Sequence, residues 1–274
     1  MSARLRGIAQ QTEEIVAAGR YRAPDGREVS LAAAIEAARD GTRMSGPDPV
    51  PVPQVPQRET FFEVTGESSM EAARRLGAGT AGLNFASARN PGGGYLNGAQ
   101  AQEEALCRAS ALYTCLLVAR AFYDHHRAHR DPFYTDRVIH SPGVPVFRDD
   151  RGRLLQAPYT AGFLTAAAPN AGVIRRTAPQ RTAELPGALA TRAERVLETA
   201  VTHGYPRLVL GAWGCGVFQN DPAQVAGAFR GLLAPGGRFA GAFEHVVFGI
   251  LDRTPDSPVR AAFVRAFPEG QLQR

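Results

Sequence analysis

The chain has 274 residues, of which 44% are hydrophobic and 21% charged, and its formal net charge is +5. This length and composition indicate a soluble globular protein with one large α/β unit and an additional segment. No stretch approaches the roughly 18 consecutive apolar residues of a transmembrane helix, so membrane spans, collagen and coiled coils are excluded. All 31 basic residues are arginine, which excludes catalysis by lysine and a lysine-containing phosphate-binding P-loop.

Two further features bear on the compartment and on the partners. Glu13 and Glu14 interrupt the N-terminal apolar residues, so the sequence predicts no export signal and a cytoplasmic location. Cys107, Cys115 and Cys215 lack metal-ligand spacing and are expected to be reduced and buried. The arginine bias has an ordinary explanation in genome composition, and it also suits a protein that approaches a polyanion.

The N-terminal sequence pattern predicts a helix over residues 2–20, a second helix over residues 31–38 and an extended, proline-rich strap over residues 46–56. A turn at 24–26 separates the helices, and Ser30 is expected to cap the second one. Five prolines in the strap exclude both a helix interior and a central strand. We therefore expect residues 1–57 to form an accessory segment and residues 58–274 to form the main domain.

After the strap, short β-rich runs alternate with longer helical patterns. The predicted strands cover residues 60–65, 82–86, 137–140, 144–147, 162–168, 207–213 and 245–251. The predicted helices cover residues 69–76, 101–126, 188–203, 222–233 and 258–267. This alternation predicts an α/β fold with a mixed, largely parallel sheet and helices on both faces.

Two glycine-rich loops, at residues 83–95 and 210–222, follow predicted strands and lead into helices. In the second loop, Asp221 and Pro222 suit the N-cap and first position of a helix. Free backbone amides in such loops favour anions, and parallel strand ends face one crevice, so the pair suggests a diphosphate site. Each loop alone is ordinarily a turn. The GxGxxG match at 77–82 precedes a strand and is not a dinucleotide fingerprint.

Two adjacent carboxylates, Glu103 and Glu104, follow Gln102 at the start of the predicted long helix. Glutamates at a helix N-terminus ordinarily complement the helix dipole. A carboxyl group crowded by its neighbour, by phosphate and by burial would instead have a raised pKa. Such a group could act as a general acid and then as the base that activates water.

These motifs carry a resemblance to a known family. Gly92–Gly94, seven intervening residues and Gln102-Glu103-Glu104 resemble the signature of the poly(ADP-ribose) glycohydrolases. The surrounding NFASARNPGGG and AQEEALCRASALY are similar to bacterial-type members, and GAWGCGVFQNDP is similar to their diphosphate loop. The similarity spans residues 58–255, and the first 57 residues resemble the less uniform accessory segment of bacterial members.

The resemblance implies a macrodomain-like, three-layer α/β/α fold. It also implies cofactor-free and metal-free hydrolysis of the ribose–ribose O-glycosidic bond in poly(ADP-ribose), mainly from the chain terminus, in a DNA damage response. By position, Glu104 is the expected acid/base, Glu103 positions the ribose at the scissile bond, and Asn90 holds the distal ribose. The other expected substrate-binding residues are Gly92, Gly93, Gly94, Gln102, Gly214, Cys215, Gly216, Val217 and Phe218, with the contact of Gln102 left open.

Two alternative functions stay open. A non-catalytic ADP-ribose-binding macrodomain needs the glycine loops but not the two adjacent glutamates. A hydrolase of mono-ADP-ribosyl or O-acetyl-ADP-ribose substrates uses the same site. The expected partners are poly(ADP-ribose) or ADP-ribose and ADP-ribosylated proteins, with no membrane and no specific nucleic-acid recognition, since scattered arginines form no recognition motif.

Other candidate residues have simpler explanations. His125, His126 and His129 lie among charged residues and are expected at a solvated helix end rather than at a metal. Cys215 stands near a helix N-terminus, where a thiolate is favoured, but no histidine base is near it in sequence. His140 is expected in the core, and Trp213 is expected to pack beneath the second loop.

Overall fold

The computed structural model describes residues 2–54 and 56–268. Among these, the N-terminal segment forms α1 (Ala3–Ala18), β1 (Arg20–Arg22), β2 (Glu28–Ser30), α2 (Ala32–Gly41) and β3 (Arg43–Ser45). Gly19 ends α1 in the left-handed conformation, and the predicted turn joins β1 and β2 as a hairpin. The predicted cap at Ser30 is wrong, because Ser30 pairs with Arg20 as the last residue of β2.

The remaining strands are β4 (Phe61–Thr65), β5 (Thr80–Phe85), β6 (Val138–Arg148), β7 (Leu154–Ala166), β8 (Arg207–Leu210) and β9 (His245–Gly249). Within the described residues they form one sheet with β3, in the order β3-β6-β7-β5-β8-β9-β4. In this order, adjacent strands from β7 to β4 are parallel. At the other edge, β6 pairs antiparallel with both β7 and β3. The predicted mixed, largely parallel sheet is confirmed.

Helices pack on both faces of this sheet. After the strap they are α3 (Ser69–Leu76), α4 (Gln102–Ala109), α5 (Leu112–Val118), α6 (Arg120–Ala128), α7 (Ala171–Thr177), α8 (Leu185–Thr202), α9 (Pro222–Leu233) and α10 (Pro258–Ala266). One core cluster joins α8, α9 and α10 to the sheet, and another joins α1, α2, α4, α5 and α6 to it. The three-layer α/β/α arrangement is therefore confirmed. Among the described residues, no helix combines the length and the apolar character needed to cross a bilayer.

The predicted long helix over 101–126 is wrong, because the chain forms three shorter helices there. At Ser110 the backbone turns to an extended conformation and bridges Val146 of β6, while the Ala111 N–H donates to the Pro145 carbonyl at 3.1 Å. This contact with a distant strand competes with helix continuation. The two strands predicted over 137–140 and 144–147 are one strand, β6, with a register shift between Ser141 and Val144.

The proline-rich strap contains no helix or strand in residues 46–54 and 56–60. It lies along α8, where the Val50 N–H donates to Glu198 Oε2 at 2.9 Å and Thr202 Oγ1 donates to the Pro51 carbonyl at 3.1 Å. Just before the strap, β3 adds an edge strand to the central sheet. The division of the chain at residue 57 stays a prediction.

Candidate active site

The first glycine loop connects the carboxyl end of β5 to α4. Gly92 and Gly93 have φ angles of 65° and 59°, a region that residues with a Cβ disfavour. The Gly93 N–H donates to the Asn90 carbonyl at 2.9 Å, and the Tyr95 N–H donates to the Gly92 carbonyl at 3.0 Å. Asn90 is exposed at the tip of the loop. These turns bring the backbone back onto the first turn of α4.

Glu104 turns toward this loop and away from bulk solvent. Its Oε1 accepts a hydrogen bond from the Gly94 N–H at 2.9 Å, and the residue is only 8% exposed. A Cβ placed on Gly93 would lie 2.5 Å from Glu104 Oε1 and 3.3 Å from Glu103 Oε2. The two carboxylates therefore both reach the same glycine, which leaves no room for a side chain there.

Glu103 is a buried carboxyl group held by two donors. The Ser87 N–H donates to its Oε2 at 2.7 Å, and Asn84 Nδ2 donates to its Oε1 at 3.2 Å. The pKa of Glu103 is raised to about 8, chiefly by burial and also by the charge of Glu104, although the hydrogen bonds from Ser87 and Asn84 lower it. Glu103 can thus hold a proton near neutral pH. The role of Asn84 was missed, although an asparagine within a buried strand is a signal for a polar partner.

Gln102 completes the hydrogen bonding at the end of β5. Its Oε1 accepts from the Phe85 N–H at 2.9 Å, and its Nε2 donates to the Leu83 carbonyl at 2.8 Å and to Ser69 Oγ at 3.1 Å. The side-chain amide therefore pairs with backbone groups at the end of β5, as the backbone of an adjacent strand would, and it also bonds to the first residue of α3. These contacts orient the first turn of α4, on which both glutamates lie.

Helix α1 supports the first loop from behind. The hydroxyl of Tyr95, which is fully buried, donates to Glu13 Oε1 at 2.9 Å. Thr12 Oγ1 donates to the carbonyl of Arg108 in α4 at 2.9 Å, and the Ser2 N–H donates to the Gly98 carbonyl at 2.9 Å. The N-terminal segment, which the motifs left without a role, thus contacts both the glycine loop and α4.

The second glycine loop runs from β8 to α9. Gly214 has a φ angle of 72°, and a Cβ there would lie 2.5 Å from Ala168 Cβ. Buried Asn220 closes the loop by donating its Nδ2 to the carbonyls of Pro169 at 2.8 Å and Gly214 at 3.1 Å. Gly216 and Val217 are exposed at the tip. Asn220 is a second polar residue that sequence reasoning missed.

Three predictions around this loop have different outcomes. Trp213 is buried beneath it, as predicted, and its Nε1 donates to the Ala166 carbonyl at 2.9 Å. Asp221 caps α9 as predicted, since its side chain accepts from the Ala223 N–H at 2.8 Å. Cys215 is reduced as predicted but half-buried rather than fully buried, and burial raises the pKa of its thiol to about 12, so the thiol stays protonated.

The two loops lie side by side. A Cβ on Gly211, at the start of the second loop, would be 3.0 Å from the ring of Phe85, at the start of the first. Farther out, the ring of Tyr134 lies between them, with the centroid of the Phe218 ring at 5.8 Å and Arg89 Cζ at 5.9 Å. The two loops are therefore adjacent at one edge of the sheet, as predicted, and Tyr134 is a neighbour of both that no motif indicated.

The histidines lie outside the two loops or within the core. The prediction of a solvated histidine group is wrong for His126, which is buried, lies 2.8 Å from Thr135 Oγ1 and has a pKa lowered to about 4 by burial. His140 is a core residue as predicted, 2.8 Å from the Tyr205 hydroxyl. Residues 2–54 and 56–268 contain no group of three or more histidine, cysteine, aspartate or glutamate residues able to hold a metal ion.

Comparisons with known proteins point to one family. The family model described as microbial-type PARG, catalytic domain, matches residues 9–149, just over half of the chain. The crystal structure of poly(ADP-ribose) glycohydrolase from Thermomonospora curvata is 49% identical, with a TM-score of 0.92 over 97% of this chain and 100% of that chain. The same enzyme bound to the inhibitor ADP-HPD has a TM-score of 0.89, at the same identity and coverage.

A third solved structure is similar over a smaller part of the chain. Poly(ADP-ribose) glycohydrolase from Deinococcus radiodurans in complex with ADP-ribose is 45% identical, with a TM-score of 0.79 over 85% of this chain and 97% of that chain. No curated protein matches. The family model and the similarity to these structures show that the chain belongs to the microbial-type poly(ADP-ribose) glycohydrolase family.

Proposed function

We propose that Glu104 is the acid and base of this poly(ADP-ribose) glycohydrolase, which hydrolyses the O-glycosidic bond between two riboses. The observation that carries the proposal is the position of its carboxylate: it accepts the Gly94 N–H at 2.9 Å, reaches the turn at Gly93 and is nearly buried. A carboxyl group fixed against an anion-binding loop is well placed for proton transfer to a sugar oxygen.

The reaction then needs two proton transfers, both at Glu104. In its acid form, Glu104 donates a proton to the 2′ oxygen of the departing ribose as the glycosidic bond breaks. The resulting carboxylate then takes a proton from water, whose oxygen bonds to the anomeric carbon and gives free ADP-ribose. The diphosphate of the substrate stabilises the positive charge that develops on the sugar. Glu104 ends the cycle protonated.

Glu103 and Asn90 are proposed to hold the reacting sugars. The donors Ser87 and Asn84 fix the Glu103 carboxyl group, and its raised pKa lets it donate a hydrogen bond to a ribose hydroxyl near neutral pH. Asn90 is exposed at the loop tip, where its amide is free to reach the distal ribose. Gly92, Gly93 and Gly94 are proposed to line the site through their backbone atoms.

The second loop is proposed to bind the diphosphate. Gly214, Cys215, Gly216 and Val217 form a turn with an exposed tip, and a Cβ on Gly216 would meet no atom within 4 Å. Such open backbone favours close approach of an anion. Phe218 follows this turn, half-buried, and is proposed to pack against the distal ribose.

Several finer assignments rest on the family resemblance. We propose cleavage mainly from the chain terminus, polymer carried by ADP-ribosylated proteins, and action in the cytoplasm during a DNA damage response. Relatives from Thermomonospora and Deinococcus were crystallised with the inhibitor ADP-HPD and with ADP-ribose, which supports ADP-ribose as the ligand of this site. The division into an accessory segment and a catalytic domain at residue 57 is proposed on the same resemblance.

Glu104→Gln is the direct test, with Glu36→Gln, an exposed residue of α2, as the matched control. Poly(ADP-ribose) on an automodified protein is incubated with each variant in excess chelator, and the ADP-ribose released is quantified. We expect Glu104→Gln to lose about 10²–10⁴-fold in rate while binding ADP-ribose in calorimetry, and Glu36→Gln to match the wild type. Unchanged turnover in Glu104→Gln would refute its role.

The same assay separates the alternative functions. Tight ADP-ribose binding by the wild type without loss of polymer would indicate a binding module. Faster release from mono-ADP-ribosylated protein than from polymer-modified protein would indicate a mono-ADP-ribosyl hydrolase.

A further inference from the structure

Tyr134 contacts both site loops from a turn that belongs to neither. Its half-buried ring lies 5.8 Å from the Phe218 ring, at an interplanar angle of 44°, and Arg89 Cζ lies 5.9 Å from its centroid. Arg89 precedes Asn90 in the first loop, and Phe218 ends the exposed turn of the second. The ring is therefore the contact between the outer parts of the two loops.

The backbone of Tyr134 is strained. Its φ angle is 58°, in the left-handed region where a Cβ crowds the neighbouring carbonyl oxygen. Glycine adopts this conformation freely, and asparagine does so more readily than an aromatic residue. The presence of a bulky ring at such a position needs an explanation in what the ring does.

Buried side chains fix the turn on both sides of Tyr134. Arg192, which is 2% exposed, donates to the carbonyl of Phe133 at 2.8 Å and to Asp136 Oδ1 at 2.9 Å. The ring of buried His126 lies 2.8 Å from Thr135 Oγ1 and 5.7 Å from the Tyr134 ring, edge to face. The scaffold thus forces the strained conformation and directs the ring between the two loops.

We propose that Tyr134 is a positioning residue for glycoside hydrolysis. Its ring holds Phe218 in the orientation that packs on the distal ribose, and it holds the Arg89 guanidinium next to Asn90 in the first loop. This inference rests on the proposed function of the site. Orientation of the sugar is what proton transfer from Glu104 depends on, so loss of the ring should slow the bond-breaking step more than it weakens binding.

Substitutions at Tyr134 separate positioning from stability. Tyr134→Gly and Tyr134→Asn remove the ring and relieve the backbone strain, whereas Tyr134→Phe keeps the ring. With purified polymer we expect the two ring-deleted variants to lose about 10–100-fold in kcat, with a smaller change in KM. In both variants the relief of backbone strain opposes the loss of ring packing against His126 and Phe218, so their Tm should stay close to that of the wild type. Tyr134→Phe should keep wild-type kcat.

Asp256→Gly is the matched control, because Asp256 is exposed and has a φ angle of 60°. It should raise Tm without changing kcat. Wild-type kcat in Tyr134→Gly, an equal loss in Tyr134→Phe, or a fall in Tm that parallels the loss of activity would each overturn the proposal. Failure of the proposed function is a separate result, since the wild type would then release no ADP-ribose or Glu104→Gln would release it normally.

Discussion

Gly93→Ala tests whether the Glu104 carboxylate packs directly against the first glycine loop. Gly93 has a φ angle of 59°, so a Cβ there costs about 1–2 kcal/mol in backbone strain. The new methyl group would also lie 2.5 Å from Glu104 Oε1, whereas ordinary contact begins at 3.4 Å. The carboxylate must therefore retreat by about 0.9 Å, because it is the flexible partner of the two.

A displacement of that size at the proton donor should reduce kcat/KM for polymer about a hundredfold. The matched control is Gly204→Ala, which has a φ angle of 71° and no atom within 4 Å of its added Cβ. Urea denaturation should show a loss of stability from backbone strain in both variants, larger in Gly93→Ala, and polymer hydrolysis should fall only in Gly93→Ala. Wild-type kcat/KM in a folded Gly93→Ala would refute the placement of Glu104 against this loop.

Three further predictions follow from the site. Gln102→Ala leaves the Phe85 N–H unpaired and should lower the free energy of unfolding by about 1–3 kcal/mol in urea titrations. Cys215→Ser should keep wild-type turnover, and iodoacetamide should not inactivate the native enzyme at neutral pH, because the pKa of this thiol is about 12. Folding raises the pKa of Glu103 from near 4.5 to about 8, so its contribution to stability is complete below pH 4.5 and is lost as pH rises toward 8. Relative to Glu103→Gln, the wild type should lose unfolding free energy across this range, and parallel pH profiles would contradict the raised pKa.

The sequence predicts the features of this molecule that depend on local chemistry. Helix bounds at 69–76 and 222–233 agree with α3 and α9, because a capping serine or aspartate marks the start of each. The glycine loops are predictable for a similar reason, since consecutive positive φ angles require glycine. Their position at one edge follows from the parallel strands that precede them.

What the sequence could not predict depends on contacts between distant segments. The break at Ser110 arises from pairing with Val146, which no local propensity reports. The burial of His126 depends on the turn that contains Thr135, and its charged sequence neighbours pointed the other way. The support of Tyr95 by Glu13 joins residues far apart in the chain. Each is a tertiary contact that overrides a local pattern.

Trp213 is the one tryptophan in the chain, and its indole nitrogen is tied to a carbonyl at the end of β7 directly under the second loop. Its fluorescence is therefore an intrinsic optical reporter for that loop, with no competing emission from other indoles. Occupation of the site by a nucleotide should change its emission, so stopped-flow fluorescence could time ligand entry and product departure on unlabelled enzyme.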